Sequence, residues 1–285
     1  MPGTRRPPLA TAFALAGRFL LPLDPAVKVN DPAWSRAGIC LPVWGVLIGI
    51  AYTTVFALMW LWLGEYQRIR LAPMAVLLAM DVGWLGYRLL QGSVSVLMSW
   101  RTRETAPADR VAAIAPTLGA VVLVVLVLLL KYALLLSLPK GEKTWPADWR
   151  QHLGIFYPYI MYRPLVLMPL WGRWAILMAA TIGRVAPGGS NRLRRLADGS
   201  SLSMVMLSWL AICGLTVLYC SPDVHHVAFS MLIGLGSLLA AYLASFALAR
   251  RFGGQTEATV MTVGAIVEFT FLLIYLPMAR FIYWY

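Results

Sequence analysis

Acidic residues, cysteine and histidine are all scarce in this chain. Twelve Asp and Glu, three Cys and three His in 285 residues leave little from which to build a disulfide scaffold or a cysteine-rich metal centre. Cys40, Cys213 and Cys220 sit in or beside apolar runs without paired spacing, which suits small packing residues. Asp223, His225 and His226 share one short turn, but adjacent histidines rarely face one ion without further ligands. No Gly-x-Ser-x-Gly elbow, Walker loop or His-Glu-x-x-His helix is present, which removes the designs those motifs serve. Charged residues make up only 13% of the chain, against 60% hydrophobic, and the mean hydropathy is +0.72. That is too little polar surface to cover a soluble globule of this length.

What the chain has instead is long apolar runs. Stretches such as 39–63, 111–138 and 227–249 each exceed the roughly 20 residues that cross a hydrocarbon core of about 30 Å. The expected fold is therefore an all-α, polytopic membrane bundle. Seven spans are predicted, at about 39–63, 73–99, 112–138, 155–183, 202–220, 227–249 and 259–283. They form one transmembrane domain over 39–285, preceded by an N-terminal segment, 1–38. The apolar stretch Leu9 to Leu23 in that segment contains Arg18 and lacks a small-residue cleavage site, so it reads as an uncleaved interfacial helix. The prolines of Asp24 to Pro32 then impose a loop. Pro158, Pro164 and Pro169, with Arg163 and Arg173 in the same run, make the fourth span the predicted place for a broken or re-entrant helix.

Loop charge gives an orientation. The N-terminal segment and the second, fourth and sixth loops carry 5, 3, 4 and 2 Lys and Arg, 14 in all; the first, third and fifth carry 2, 3 and 0, or 5. The positive-inside rule then places the N-terminus in the cytoplasm, in a multi-pass inner-membrane protein. The net charge of +12 suits anionic lipid as a partner. No basic stripe with interleaved aromatics stands outside the membrane, so nucleic acid is not expected as a partner; a homo-oligomer is left open. Trp60 and Trp62, Trp145 and Trp149, and Tyr283-Trp284-Tyr285 fall near span ends, as interfacial anchors do.

Several polar residues are candidates for chemistry. Asp81 lies inside the second span, where a carboxylate costs about 2.5–3.5 kcal/mol without a partner. Arg88, seven residues on, is the obvious partner, through a bent side chain or a water; the pair is either structural or part of a substrate cavity. Glu257 and Glu268 are eleven residues apart, close to three helical turns. Either could bind a cation or orient a hydroxyl, while Glu257 could equally cap the last helix with Thr256. Arg163 and Arg173 have the fork that grips phosphate, or they snorkel. The segment Pro187 to Arg195 places free glycine amides beside Arg192, Arg194 and Arg195; it suits a pyrophosphate, or is an ordinary positive-inside loop.

Three stretches together resemble the cobalamin synthase family, also called adenosylcobinamide-GDP ribazoletransferase. The first is Arg18-Phe19-Leu20 followed by Trp34-Ser35-Arg36-Ala37 and Leu41-Pro42-Val43-Trp44-Gly45-Val46-Leu47-Ile48-Gly49. The second runs from Pro116-Thr117-Leu118-Gly119 to Leu130-Lys131-Tyr132-Ala133 and continues in Leu170-Trp171-Gly172-Arg173-Trp174. The third is Gly253-Gly254-Gln255-Thr256 with Glu268, similar to the family's Gly-Gly-x-Thr-Gly-Asp opening of its last helix. The resemblance implies a membrane enzyme that joins a ribazole nucleotide to a GDP-activated corrinoid and releases GMP, with corrinoid and nucleotide as substrates. It implies Mg2+ and diphosphate at Asp81, Glu257 and Glu268 as further catalytic acids, and Arg173 on phosphate; Arg88 and Arg192 complete the expected phosphate-binding set.

The chain also departs from the family pattern. The signature Asp-Gly-Leu-Ala-Asp-x-x-Asp aligns best with Asp81-Val82-Gly83-Trp84-Leu85-Gly86-Tyr87-Arg88, which keeps one aspartate of three and has arginine at the last position. Glu257-Ala258 stands where the family has Gly-Asp, and Ala113-Ile114-Ala115 replaces a Ser-Arg pattern near Asp109 and Arg110. A hard cation needs several oxygen ligands. Two classes therefore stay open: a transferase in which Arg88 takes over a cation's role, and a non-catalytic membrane protein, either a pseudoenzyme or a carrier of an amphiphile.

Overall fold

A computed structural model of the chain describes residues 9–22, 33–63, 71–102, 118–138, 162–220 and 224–283. Several sequence expectations lie outside these residues: the loop from Asp24 to Pro32, Asp109 and Arg110, Trp145 and Trp149, Pro158, Asp223, and Trp284-Tyr285. The side chains of Cys220, His225, His226 and Tyr283 also lie outside the description.

Helices account for almost everything described. They are α1 (Leu9–Leu20), α2 (Trp34–Leu63), α3 (Leu71–Met80), a π-helical turn (Asp81–Leu85), α4 (Tyr87–Thr102), α5 (Leu118–Leu136), α6 (Tyr162–Ile182), α7 (Asn191–Gly199), α8 (Leu202–Cys220), α9 (Val224–Phe252) and α10 (Glu257–Tyr283). Among the described residues the one β-type pairing is an isolated bridge between Val185 and Gln255. The all-α polytopic bundle expected from the apolar runs is the fold observed.

Among the described residues, five helices are long and apolar enough to cross a membrane: Arg36–Trp60, Tyr162–Ile182, Leu202–Tyr219, Val227–Phe252 and Glu257–Ala279. The bent pair α3 and α4 makes six if it counts as one span. Seven were expected. The difference lies at α5, where the apolar helix Val121–Leu136 is shorter than a full crossing and the expected start near 112 falls outside the described residues.

α6 is the hub. It is buried along nearly its whole length and packs against α2, α8, α9 and α10. Trp171 and Trp174 are fully buried, and each indole N–H has a partner: Thr216 Oγ1 at 3.3 Å and the Val205 carbonyl at 3.2 Å. Such pairing removes the cost of an unpaired donor in an apolar interior. On the lipid side, Leu58, Leu129, Leu207, Leu218 and Leu239 are exposed, as expected where acyl chains rather than water form the solvent.

The tightest crossing is between α2 and α6. A β-carbon built on Gly49 would lie 2.6 Å from Val166 Cα and 2.7 Å from its carbonyl oxygen; one on Gly45 would lie 2.7 Å from Leu170 Cα. Gly45 and Gly49 are the small residues of a Gly-x-x-x-Gly pair that lets two backbones touch.

Among the described residues of the fourth expected span, 162–182, the helix has no break. α6 runs unbroken through Pro169, with Pro164 in its first turn, where a missing N–H is tolerated. Protein surrounds α6, and that covering suits the interior proline. A break falls in the second expected span, where the Asp81–Leu85 π-turn and Gly86 bend α3 against α4 by 77°. Single π-turns often mark functional sites.

Candidate functional site

The bend brings four charged side chains from four helices to one buried point. Asp81 opens the π-turn, Lys131 stands within the apolar helix α5, Arg173 lies in the middle of α6, and Glu268 is three turns into α10. Lys131 Nζ donates to Asp81 Oδ2 at 2.6 Å and to Glu268 Oε2 at 2.9 Å. The other oxygen of Glu268 accepts from Arg173 Nη1, and the other oxygen of Asp81 accepts from the Tyr52 hydroxyl of α2. Arg173 Nη2 also donates to the Leu85 carbonyl at 2.9 Å, which ties α6 to the end of the π-turn. Every carboxylate oxygen thus has a donor, and the two negative charges balance the two positive ones. A buried ionic cluster needs that balance, because each uncompensated charge carries a desolvation penalty of several kcal/mol.

The motif residues around the centre serve its packing. A β-carbon at Gly172 would meet Glu268 Cγ at 2.6 Å, so the glycine before Arg173 makes room for the acid that Arg173 binds. A small cavity lined by Tyr52, Leu77, Asp81, Lys131, Leu165 and Met168 adjoins the centre.

A second cluster forms at the turn between α9 and α10. Arg184 and Ala186 pair with Gln255: Gln255 N–H donates to the Arg184 carbonyl at 2.7 Å, and Ala186 N–H to the Gln255 carbonyl at 2.9 Å. Gly254, at φ 145°, brings its backbone so near Ala186 that a β-carbon would lie 2.6 Å from Ala186 Cα and N. Only glycine meets both demands. Thr256 caps α10 by accepting from Thr259 N–H at 3.2 Å, and Gln255 Nε2 donates to the Ser245 carbonyl at 2.9 Å. Glu257 follows Thr256 as the acidic residue of the helix's first turn. Its carboxylate accepts from Ser190 Oγ and lies 3.8 Å from Arg88 Nη1. Ser190 in turn caps α7, accepting from Leu193 N–H at 3.2 Å. Arg88 also donates to the Phe19 carbonyl at the end of α1, at 2.7 Å, and Arg192 follows Ser190 by two residues in the first turn of α7. Behind this rim, Arg251 lies over the Trp100 ring at 5.9 Å.

The sequence candidates are thus sorted into two groups. Asp81, Glu268 and Arg173 meet in the deep centre; Arg88, Glu257 and Arg192 gather at the rim. The expected Asp81 to Arg88 pair does not form, because the π-turn breaks the helix between them and the bend carries Arg88 away to Glu257. Arg173 was expected on phosphate, yet it is fully buried and engaged with Glu268 and the Leu85 carbonyl. Lys131 and Tyr52 were missed as site residues. A lone lysine in a run such as Val-Leu-Leu-Leu-Lys-Tyr-Ala-Leu-Leu was itself a signal, since a charge at membrane depth is functional by default; Tyr52 carried none.

Mg2+ demands near-octahedral oxygen coordination. In the deep centre two carboxylates meet, their four oxygens are taken, and an ammonium stands between them. Among the described residues no group of three or more His, Cys, Asp and Glu could hold a metal ion. The residues of this centre do not fit magnesium.

A family model described as cobalamin-5-phosphate synthase matches residues 116–279, more than half of the chain. The chain belongs to the cobalamin-5-phosphate synthase family. No curated protein and no solved structure matches it. Membership confirms the resemblance drawn from the motifs, and it gives this multi-pass membrane protein a cobalamin synthase-like role in cobalamin biosynthesis. The matched cobalamin-5-phosphate synthase region holds Lys131, Arg173, Ser190, Glu257 and Glu268. Tyr52, Asp81 and Arg88 lie before it, so each cluster joins residues from inside and outside the family match.

Proposed function

We propose that this chain transfers a corrinoid phosphoryl group from a GDP-activated donor to a ribazole-type acceptor at the membrane surface. The observation that carries this reading is the meeting of Arg88 with Glu257 at the Gly253–Thr256 turn, beside Ser190 and Arg192. A guanidinium is always charged and grips phosphate oxygens in a fork. Arg88 and Arg192 neutralise the diphosphate there, standing in for a cation as charge develops in the transition state. Glu257 takes the proton of the attacking acceptor hydroxyl. The acceptor oxygen bonds to the corrinoid-bearing phosphorus as the bond to the departing GMP oxygen breaks. The deep centre positions rather than reacts: Asp81, Lys131, Arg173 and Glu268 hold the bend that delivers Arg88 to the rim. The loop-charge bias supports a rim that faces the cytoplasm, at the inner membrane.

The test is GMP release by reconstituted protein supplied with a GDP-activated corrinoid and ribazole phosphate. Arg88→Ala should lower the rate by about 100-fold or more, the loss typical of a transition-state charge stabiliser. A fully active Arg88→Ala protein would sink the assignment.

One observation favours a second reading, a non-catalytic binder of corrinoid or nucleotide: the Glu257 carboxylate that would act as base is already engaged by Ser190 and Arg88. In that case the wild-type protein releases no GMP, while corrinoid or nucleotide still raises its melting temperature.

A further inference from the structure

We propose that the Lys131 ammonium is the permanent cation of the deep centre, filling the place between Asp81 and Glu268 that a divalent ion would otherwise take. This goes beyond the transferase reading and does not depend on it, because it concerns what the centre holds and not what the rim does.

Three observations lead there. Lys131 Nζ is within 2.6 and 2.9 Å of oxygens from two acids on different elements, the bridging position a small cation takes between carboxylates. Lys131, Asp81 and Glu268 are all buried, at 8%, 8% and 3% exposure, so no bulk water screens them and the local charges must balance among themselves. With Arg173 on Glu268, the cluster already sums to zero. A divalent ion added to it would leave two uncompensated positive charges in an apolar interior, and the ion would first have to displace an ammonium that satisfies both acids. The Tyr52 hydroxyl donates to the other oxygen of Asp81.

The chemistry also explains the residue type. An ammonium is a compact point charge with three donors on a flexible stem, able to serve two carboxylates in different directions. Arginine suits the neighbouring place on Glu268, where its fork bonds a carboxylate and a backbone carbonyl together. The centre thus keeps a cation's structural function while needing no metal supply.

The experiment uses Mn2+ as a magnesium surrogate, counted by electron paramagnetic resonance on the full chain in detergent. Wild-type protein and the isosteric variant Asp81→Asn should give the same Mn2+ isotherm, since neither holds the ion at this centre. An affinity that is about tenfold weaker in Asp81→Asn would overturn the proposal. In the opposite direction, Lys131→Ala removes the ammonium and leaves two facing carboxylates. It should gain at least about tenfold in Mn2+ affinity, with a melting temperature that rises as Mn2+ is added. A folded Lys131→Ala protein that gains neither would also overturn it. If Lys131→Ala does not fold, the wild-type and Asp81→Asn isotherms decide.

Discussion

Replacing Lys131 with methionine is expected to destabilise the bundle by about 3–5 kcal/mol, the cost of stripping one partner from a buried ionic cluster. Methionine matches the length of lysine and is at home in an apolar helix, so the loss would come from charge and not from a cavity. Asp81 would keep only the Tyr52 hydroxyl, and Glu268 only Arg173, leaving one negative charge in excess. Removing that charge should restore much of the loss. The double variant Lys131→Met with Asp81→Asn retains the balanced Arg173 and Glu268 pair, so it should be more stable than Lys131→Met alone by about 1–3 kcal/mol, a coupling typical of groups in one network. Reversible unfolding in mixed micelles would measure both. A Lys131→Met protein as stable as the wild type would show that the cluster is not the balanced unit its geometry describes.

The second large effect concerns a site with no charge. Gly49→Val should cost about 3 kcal/mol or more, at the upper end for overpacking, because the atoms its β-carbon would meet are the Cα and carbonyl of Val166. Backbone cannot rotate out of the way as a side-chain tip can, so α2 and α6 must separate. That separation reaches the deep centre: Tyr52 lies one turn beyond Gly49 on α2, and α6 carries Arg173. The natural control is Gly214→Val on α8, where a β-carbon meets nothing within 4 Å; it should unfold with the wild type to within about 0.5 kcal/mol. If the two glycine variants unfold alike, the close crossing of α2 and α6 is refuted.

These two predictions differ in how far they were readable from residues alone. Gly45 and Gly49 stand in the first family-like stretch, and their spacing is a known contact pattern, but nothing in the sequence says which helix they face. Lys131 stands out in its apolar run, yet its partners lie 50 and 137 residues away. Local pattern records that a buried charge must be answered; it does not record by which residue.

By itself the sequence determined the solvent and the class of fold. Apolar runs of spanning length can satisfy their backbone in lipid only as helices, and that constraint is local, so it survives without any knowledge of packing. The sequence also determined the family, because its motifs are short and contiguous. The tertiary structure alone decided where the helix breaks and who pairs with whom. Prolines pointed to the fourth span, but surrounding protein lets α6 continue through Pro169, while the bend falls at Asp81, which starts a π-turn and has its charge answered by Lys131. Once the chain bends there by 77°, the seven-residue offset from Asp81 to Arg88 no longer measures their separation. One goes to the buried centre and the other to the rim. Helical periodicity holds only while the helix is unbroken, and here the partners of the residue that opens the break lie 29 and 50 residues away, beyond any local window.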